Sequence, residues 1–188
     1  MTENVGVNHD NERAAPVPRD AGPAADSPVR RALRQGIQIM ARGPRSVTSR
    51  AARWAVTDLA VAGAVLVLAS AIIHLRLWAD GGYRGISVIG PLFLVQGVVG
   101  IGCAAVLGLF RRLGLIVAGA VLMLATAGGL LLSAYVGLFG YQESLAVPYA
   151  GLLLVVEFAG AGVLATAAVL LLAARPAPQG ERVWPPAG

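Results

Sequence analysis

The sequence predicts an all-α protein: a transmembrane four-helix bundle with both termini in the cytoplasm. Three observations carry that prediction. Four long apolar runs fill residues 54–174, and almost every charge lies outside them. Hydrophobic residues make up 56% of the 188-residue chain and charged ones 13%, with a mean hydropathy of +0.70; that leaves too little polar surface for a water-soluble domain. The arginines, finally, collect on segments that alternate crossings would place on one side of a bilayer.

Residues 1–26 mix Asn, Asp, Glu, Pro and Ala without apolar periodicity and read as a disordered tail. Residues 27–53 form a basic juxtamembrane segment. Ser27-Pro28 is a helix start, with Ser as the cap and Pro at the first helical position. Val29, Leu33, Gly36, Ile37 and Met40 then recur at helical spacing, and Arg30, Arg31, Arg34, Gln38 and Arg42 fall mostly on the other side. Gly43-Pro44 closes the run. The pattern describes a short basic amphipathic helix on a membrane surface.

Residues 54–174 hold the transmembrane domain, with spans expected at about 55–78, 91–110, 113–139 and 149–173. Ser46, Thr48 and Ser49 are candidate caps for the first span, and Trp54 marks the interface. Asp80 to Gly85 (Asp-Gly-Gly-Tyr-Arg-Gly) is a turn. The second span, 20 residues long, reaches about 30 Å, enough for the hydrocarbon core. Arg111-Arg112 is a very short turn, so spans two and three should run antiparallel. Residues 175–188 form a Pro-rich tail.

Arg42, Arg45, Arg50 and Arg53 precede span one, Arg111 and Arg112 separate spans two and three, and Arg175 and Arg182 follow span four. The opposite side has only Arg76 and Arg84, beside Asp80 and Glu143. This places both termini in the cytoplasm, in a multi-pass protein of the cytoplasmic membrane. The net charge of +5 and pI near 10.3 accordingly point to anionic lipid head groups, not nucleic acid. Arg30, Arg31, Arg34, Arg42, Arg45, Arg50 and Arg53 are the expected contacts.

Lipid tails are as apolar as Leu, so small residues drive helix association in a bilayer. Gly100, Ala104 and Gly108 in span two, and Ala125, Gly129, Ser133 and Gly137 in span three, recur four residues apart. We expect these ridges to close the hairpin of spans two and three. A homo-oligomer or another membrane protein is the alternative partner for them.

Ionisable groups within a span cost about 2.5–3.5 kcal/mol at mid-bilayer and invite explanation. Glu157 lies about 12 Å into span four. His74, one turn beyond Ser70, is near the outer end of span one, with Arg76 close by. Gln96 and Ser133 fall in the outer halves of spans two and three. His74, Gln96, Ser133, Glu157 and Arg76 therefore form the candidate polar cluster, in the outer half of the membrane. It reads either as a small-molecule, quinone or proton site with Glu157 and His74 as the titrating pair, or as a network that locks the bundle. Asp58, in the first turn of span one, suits the helix dipole and could pair with Arg53 or Arg111.

Cys103 is the only cysteine, so no intrachain disulfide, CxxC pair or cysteine-based metal site is expected. The spans contain one His, too few for bis-histidine haem. There is no Walker motif, HExxH or GxSxG, so we expect no catalytic residues, metal or cofactor.

The stretch His74-Leu75-Arg76-Leu77-Trp78, then Tyr83-Arg84, then Ile89-Gly90-Pro91-Leu92-Phe93-Leu94-Val95-Gln96 resembles a group of uncharacterised four-span actinobacterial membrane proteins. Span count gives a looser likeness to DoxX-type four-helix proteins. The resemblance implies the same topology and singles out the outer segment, without implying an activity. The sequence thus points to a small polytopic membrane protein acting as a non-catalytic accessory or scaffold. A transport or channel component, or a quinone- or redox-linked subunit, are the alternatives.

Overall fold

The computed structural model describes residues 27–146 and 149–174. The expected tails, 1–26 and 175–188, lie outside the described residues, as do Arg175 and Arg182. Five helices make up the described chain: α1 (Pro28–Met40), α2 (Arg50–Asp80), α3 (Ile89–Phe110), α4 (Leu113–Tyr135) and α5 (Ala150–Ala173). The last four are each long and apolar enough to cross a membrane.

Ser27 caps α1, its hydroxyl accepting from the Arg30 N–H at 3.3 Å, with Pro28 at the first position. The helix buries none of its residues, and Val29, Leu33, Ile37 and Met40 form an exposed apolar stripe. Its C-terminal end is tied to the bundle. Leu113 N–H donates to Arg42 O at 2.7 Å, and Arg112 Nη1 donates to Ala41 O at 3.0 Å. One end of α1 is thus pinned to the start of α4.

Ser49 caps α2, accepting from Ala52 N–H at 3.4 Å. The helix runs 31 residues, about 46 Å, well beyond a hydrocarbon core of about 30 Å. Helix α3 begins two residues earlier than the proline suggests. Pro91 sits in the first turn, where its missing N–H has no intrahelical partner to lose.

Helix α4 stops four residues before the expected end of span three. Val136 to Phe139 are apolar enough to continue it, but Gly137, Phe139 and Gly140 all take positive φ (86°, 52° and 77°). The chain turns back there, and Leu138 and Tyr141 exchange backbone hydrogen bonds at 2.7 and 2.9 Å.

Packing is uneven around the bundle. Helix α2 lies along both α3 and α5, and α5 along α4, while α3 and α4 meet far less. The expected ridge pairing between spans two and three is therefore not what forms. In α3, Gly97 and Gly100 face α2. A Cβ at Gly100 would stand 2.7 Å from Ala71 Cβ, and one at Gly97 would collide with Leu75. Gly63 of α2 likewise makes room for Leu164 of α5, and Gly160 of α5 for Met123 of α4. A Cβ at Gly108 or Gly129 would meet nothing within 4 Å. Of the α4 ridge, Ala125 is exposed, Gly129 borders open space and Ser133 is buried, and Gly137 lies beyond the helix.

The apolar core occupies the end of the bundle that carries α1 and the α3–α4 turn, here the arginine end. Val56, Leu107, Leu113, Ile116, Leu164 and Leu171 are almost wholly buried there. The opposite, loop end holds the α2–α3 and α4–α5 connections and most of the buried polar groups.

Candidate functional site

Three buried polar side chains meet between α2 and α5. Ser70 and His74 stand one turn apart on α2, and Glu157 on α5 is fully buried. His74 Nδ1 lies 2.9 Å from Ser70 O. A carbonyl can only accept, so Nδ1 carries the proton and Nε2 faces Glu157 Oε1, 3.9 Å away. The Ser70 hydroxyl donates to the same Oε1 at 3.2 Å. Oε2 has no partner. The backbone thereby fixes the imidazole tautomer, and histidine and carboxyl can hold one proton between them with no net charge. That arrangement limits the cost of placing both groups in an apolar bundle.

Where α3 and α4 diverge toward the loop end, they enclose a hollow of about 270 Å³. Leu92, Phe93 and Val95 of α3 and Leu122, Ala125 and Leu130 of α4 give it mostly apolar walls. His74, Gln96, Thr126 and Ser133 supply polar groups. The Thr126 hydroxyl is engaged by backbone carbonyls of Leu122 and Met123 at 3.1 and 2.9 Å. Gln96 Nε2 and Ser133 Oγ are buried and have no partner. Leu92 and Val95 are also exposed on the outer surface, so the hollow opens sideways between the two helices.

A second polar group covers the loop end. Glu143, in the α4–α5 connection, is buried. It accepts from Tyr83 Oη at 2.6 Å, Ser144 N–H at 3.0 Å and, weakly, Tyr141 Oη at 3.4 and 3.5 Å. Its own N–H donates to Ser133 O at 3.2 Å. Burial, then the hydrogen bond and charge of Glu143, push the Tyr83 phenol well above its usual range. Burial and the Glu143 charge push Tyr141 up as well. Tyr83 stacks on Phe93 at 4.5 Å between ring centroids, and Phe93 in turn meets the His74 ring at 5.1 Å. Aromatic contacts thus connect this cover with the dyad.

Of the residues singled out from sequence, the structure brings His74 and Glu157 together and sets His74, Gln96 and Ser133 around one hollow. Arg76 is apart. Two residues along the helix from His74, it faces another direction and lines a separate depression with Asp80 and Tyr149. Glu143 and Tyr83, read from sequence only as a loop charge and a turn residue, form the cover. A lone acid between loop tyrosines was the available signal, but Tyr83 lies 60 residues away.

At the arginine end, Arg50 and Arg53 occupy the exposed first turn of α2, Arg30, Arg31 and Arg34 the exposed surface of α1, and Arg42 and Arg45 the edge of another hollow. Asp58 is exposed, with no ion pair to Arg53 or Arg111 among the described residues. Among the described residues, no three His, Cys, Asp or Glu side chains gather as for a metal. Comparison with protein-family models, with curated proteins and with solved structures finds no match for this chain.

Proposed function

We propose that this chain is a non-catalytic membrane protein that holds the polar head of an amphipathic small molecule between α3 and α4. One observation carries the reading: Gln96 Nε2 and Ser133 Oγ, both buried and unpaired, border a largely apolar hollow. A buried donor without a partner costs about 1–3 kcal/mol, and a ligand acceptor would recover it. The ligand class that fits has a carbonyl or ether oxygen on an apolar body, an isoprenoid quinone being one such shape. A hollow of 270 Å³ takes a head group, and the side opening lets the tail lie in the bilayer. With the arginine end in the cytoplasm, the hollow would face the outer leaflet.

Mass spectrometry of organic extracts tests this on protein purified in mild detergent. Wild type should retain a carbonyl-bearing amphiphile. Gln96→Leu/Ser133→Ala should retain about tenfold less, the effect of two lost neutral hydrogen bonds. Equal retention by a folded double variant refutes the reading.

The His74–Glu157 dyad favours a second reading, proton-linked transport through the same hollow. In liposomes, a pH-driven flux that disappears in Glu157→Gln while ligand retention persists would support transport over holding alone.

A further inference from the structure

At the arginine end the structure encloses a second hollow, of about 590 Å³, remote from the one between α3 and α4. Arg42 and Arg45 reach it from the segment after α1, and Arg111 and Arg112 from the α3–α4 turn. Among the described residues, no carboxylate stands within ion-pair distance of these four guanidinium groups. Arg111 is held with φ 44° and ψ 39°, a left-handed conformation that side-chain-bearing residues rarely adopt. Its Nε is buried without a partner. Arg112 Nη1 is engaged by Ala41 O, which fixes the stretch of chain carrying Arg42 and Arg45 beside the turn. The C-terminus of α3 opposes an anion and the N-terminus of α4 favours one, so four guanidinium groups set the sign of the site.

We infer that this hollow binds the phosphate of an anionic membrane lipid. Four guanidinium groups match phosphate oxygens, which accept their paired N–H donors. The lipid source is argued from the wall on the other side: Leu109 and Phe110 line the same hollow and are 73% and 58% exposed. A phosphate seated among the arginines would thus have its acyl chains beside an apolar helix end. A free anion would have no use for that wall. The site is more specific than the diffuse attraction of a basic segment for a charged surface, because it requires α1, the turn after it and the α3–α4 turn to be assembled.

The test uses the full chain in neutral detergent, titrated with phosphatidylglycerol, phosphatidylcholine or inorganic phosphate and read by thermal shift. Phosphatidylglycerol should bind at least about tenfold more tightly than either other probe. Arg42→Gln/Arg45→Gln should lose about tenfold in affinity. Arg50→Gln/Arg53→Gln removes the same charge outside the hollow and should lose less than about threefold. Arg42→Lys/Arg45→Lys keeps the charge and should fall between the two pairs; it serves if the glutamine pair fails to fold. Equal weakening by the two glutamine pairs overturns the site in favour of diffuse attraction. Should the lysine pair stand in, binding as tight as wild type overturns it. Inorganic phosphate binding as tightly as the lipid overturns the lipid assignment.

Discussion

One side of α3 lies so close to α2 that Gly97 and Gly100 leave no room for a side chain, whereas the side turned to α4 stands off and encloses a hollow. Both seams are rich in small residues. The difference is what those residues face. On the closed side glycine meets Ala71 and Leu75, so backbones approach and the side chains interlock. On the open side Ala125 and Gly129 of α4 look across at Gln96 and Val95 over the hollow. Small residues therefore make either a tight seam or a cavity, and the facing helix decides which.

The largest expected effect belongs to the closed seam between α2 and α5. Glu157→Ala leaves the buried Ser70 hydroxyl without its acceptor and His74 Nε2 without the carboxyl that faces it, and should cost about 3–5 kcal/mol, read as a fall in detergent-solubilised thermal stability. Glu157→Gln keeps an acceptor for Ser70 and should cost clearly less. Wild-type stability in the alanine variant would break the account of the dyad.

Next comes the contrast within α3 and α4 themselves. Gly100→Leu forces a side chain into Ala71 and should destabilise by about 3 kcal/mol or prevent folding. Gly129→Ala adds a methyl to open space and should shift stability by no more than about 0.5 kcal/mol. Comparing the two by yield of monodisperse protein sharpens the distinction directly; similar losses would mean that α3 and α4 approach as closely as α3 and α2.

A smaller loss than at either closed seam is expected in the cover of the open one. Tyr83→Phe removes the 2.6 Å bond to Glu143 and should cost about 1–2 kcal/mol near neutral pH. The native phenol keeps its proton above the usual value of 10. Its contribution is therefore complete below pH 10 and is lost as pH rises past that value, because the unfolded chain ionises first. Stability profiles across the alkaline range should fall less steeply for Tyr83→Phe than for wild type; parallel profiles would exclude the phenol as the source.

Sequence made the four crossings legible because long apolar runs have no other common explanation, and it made the start of α1 legible because Ser27-Pro28 is a local signal. The end of α4 was obscured because Val136, Leu138 and Phe139 are apolar enough to continue the span; the stop is Gly137, just past the C-cap with φ 86°, and one glycine in a glycine-rich chain is a weak signal. The partner of the Gly100 ridge was not legible either: spacing identifies a face but not its neighbour. The depth of His74 and Glu157 could be counted along each span, whereas Tyr83 and Glu143 meet only through tertiary structure. Arg76 shows the limit of counting, because depth alone grouped it with His74 and helical angle separates them.

The two-residue link at Arg111 and Arg112 has a consequence for biogenesis. Helices α2 and α3 form one glycine-seamed hairpin, and α4 and α5 another, each made of neighbours in sequence. As the chain emerges, the first hairpin can be complete before α5 has been synthesised. Its docking to the second waits for α5, whose contact with α2 joins the halves. A protein assembled in this order is a tethered dimer of hairpins. Expressing residues 1–111 and 112–188 as separate chains should rebuild the bundle through the α2–α5 seam.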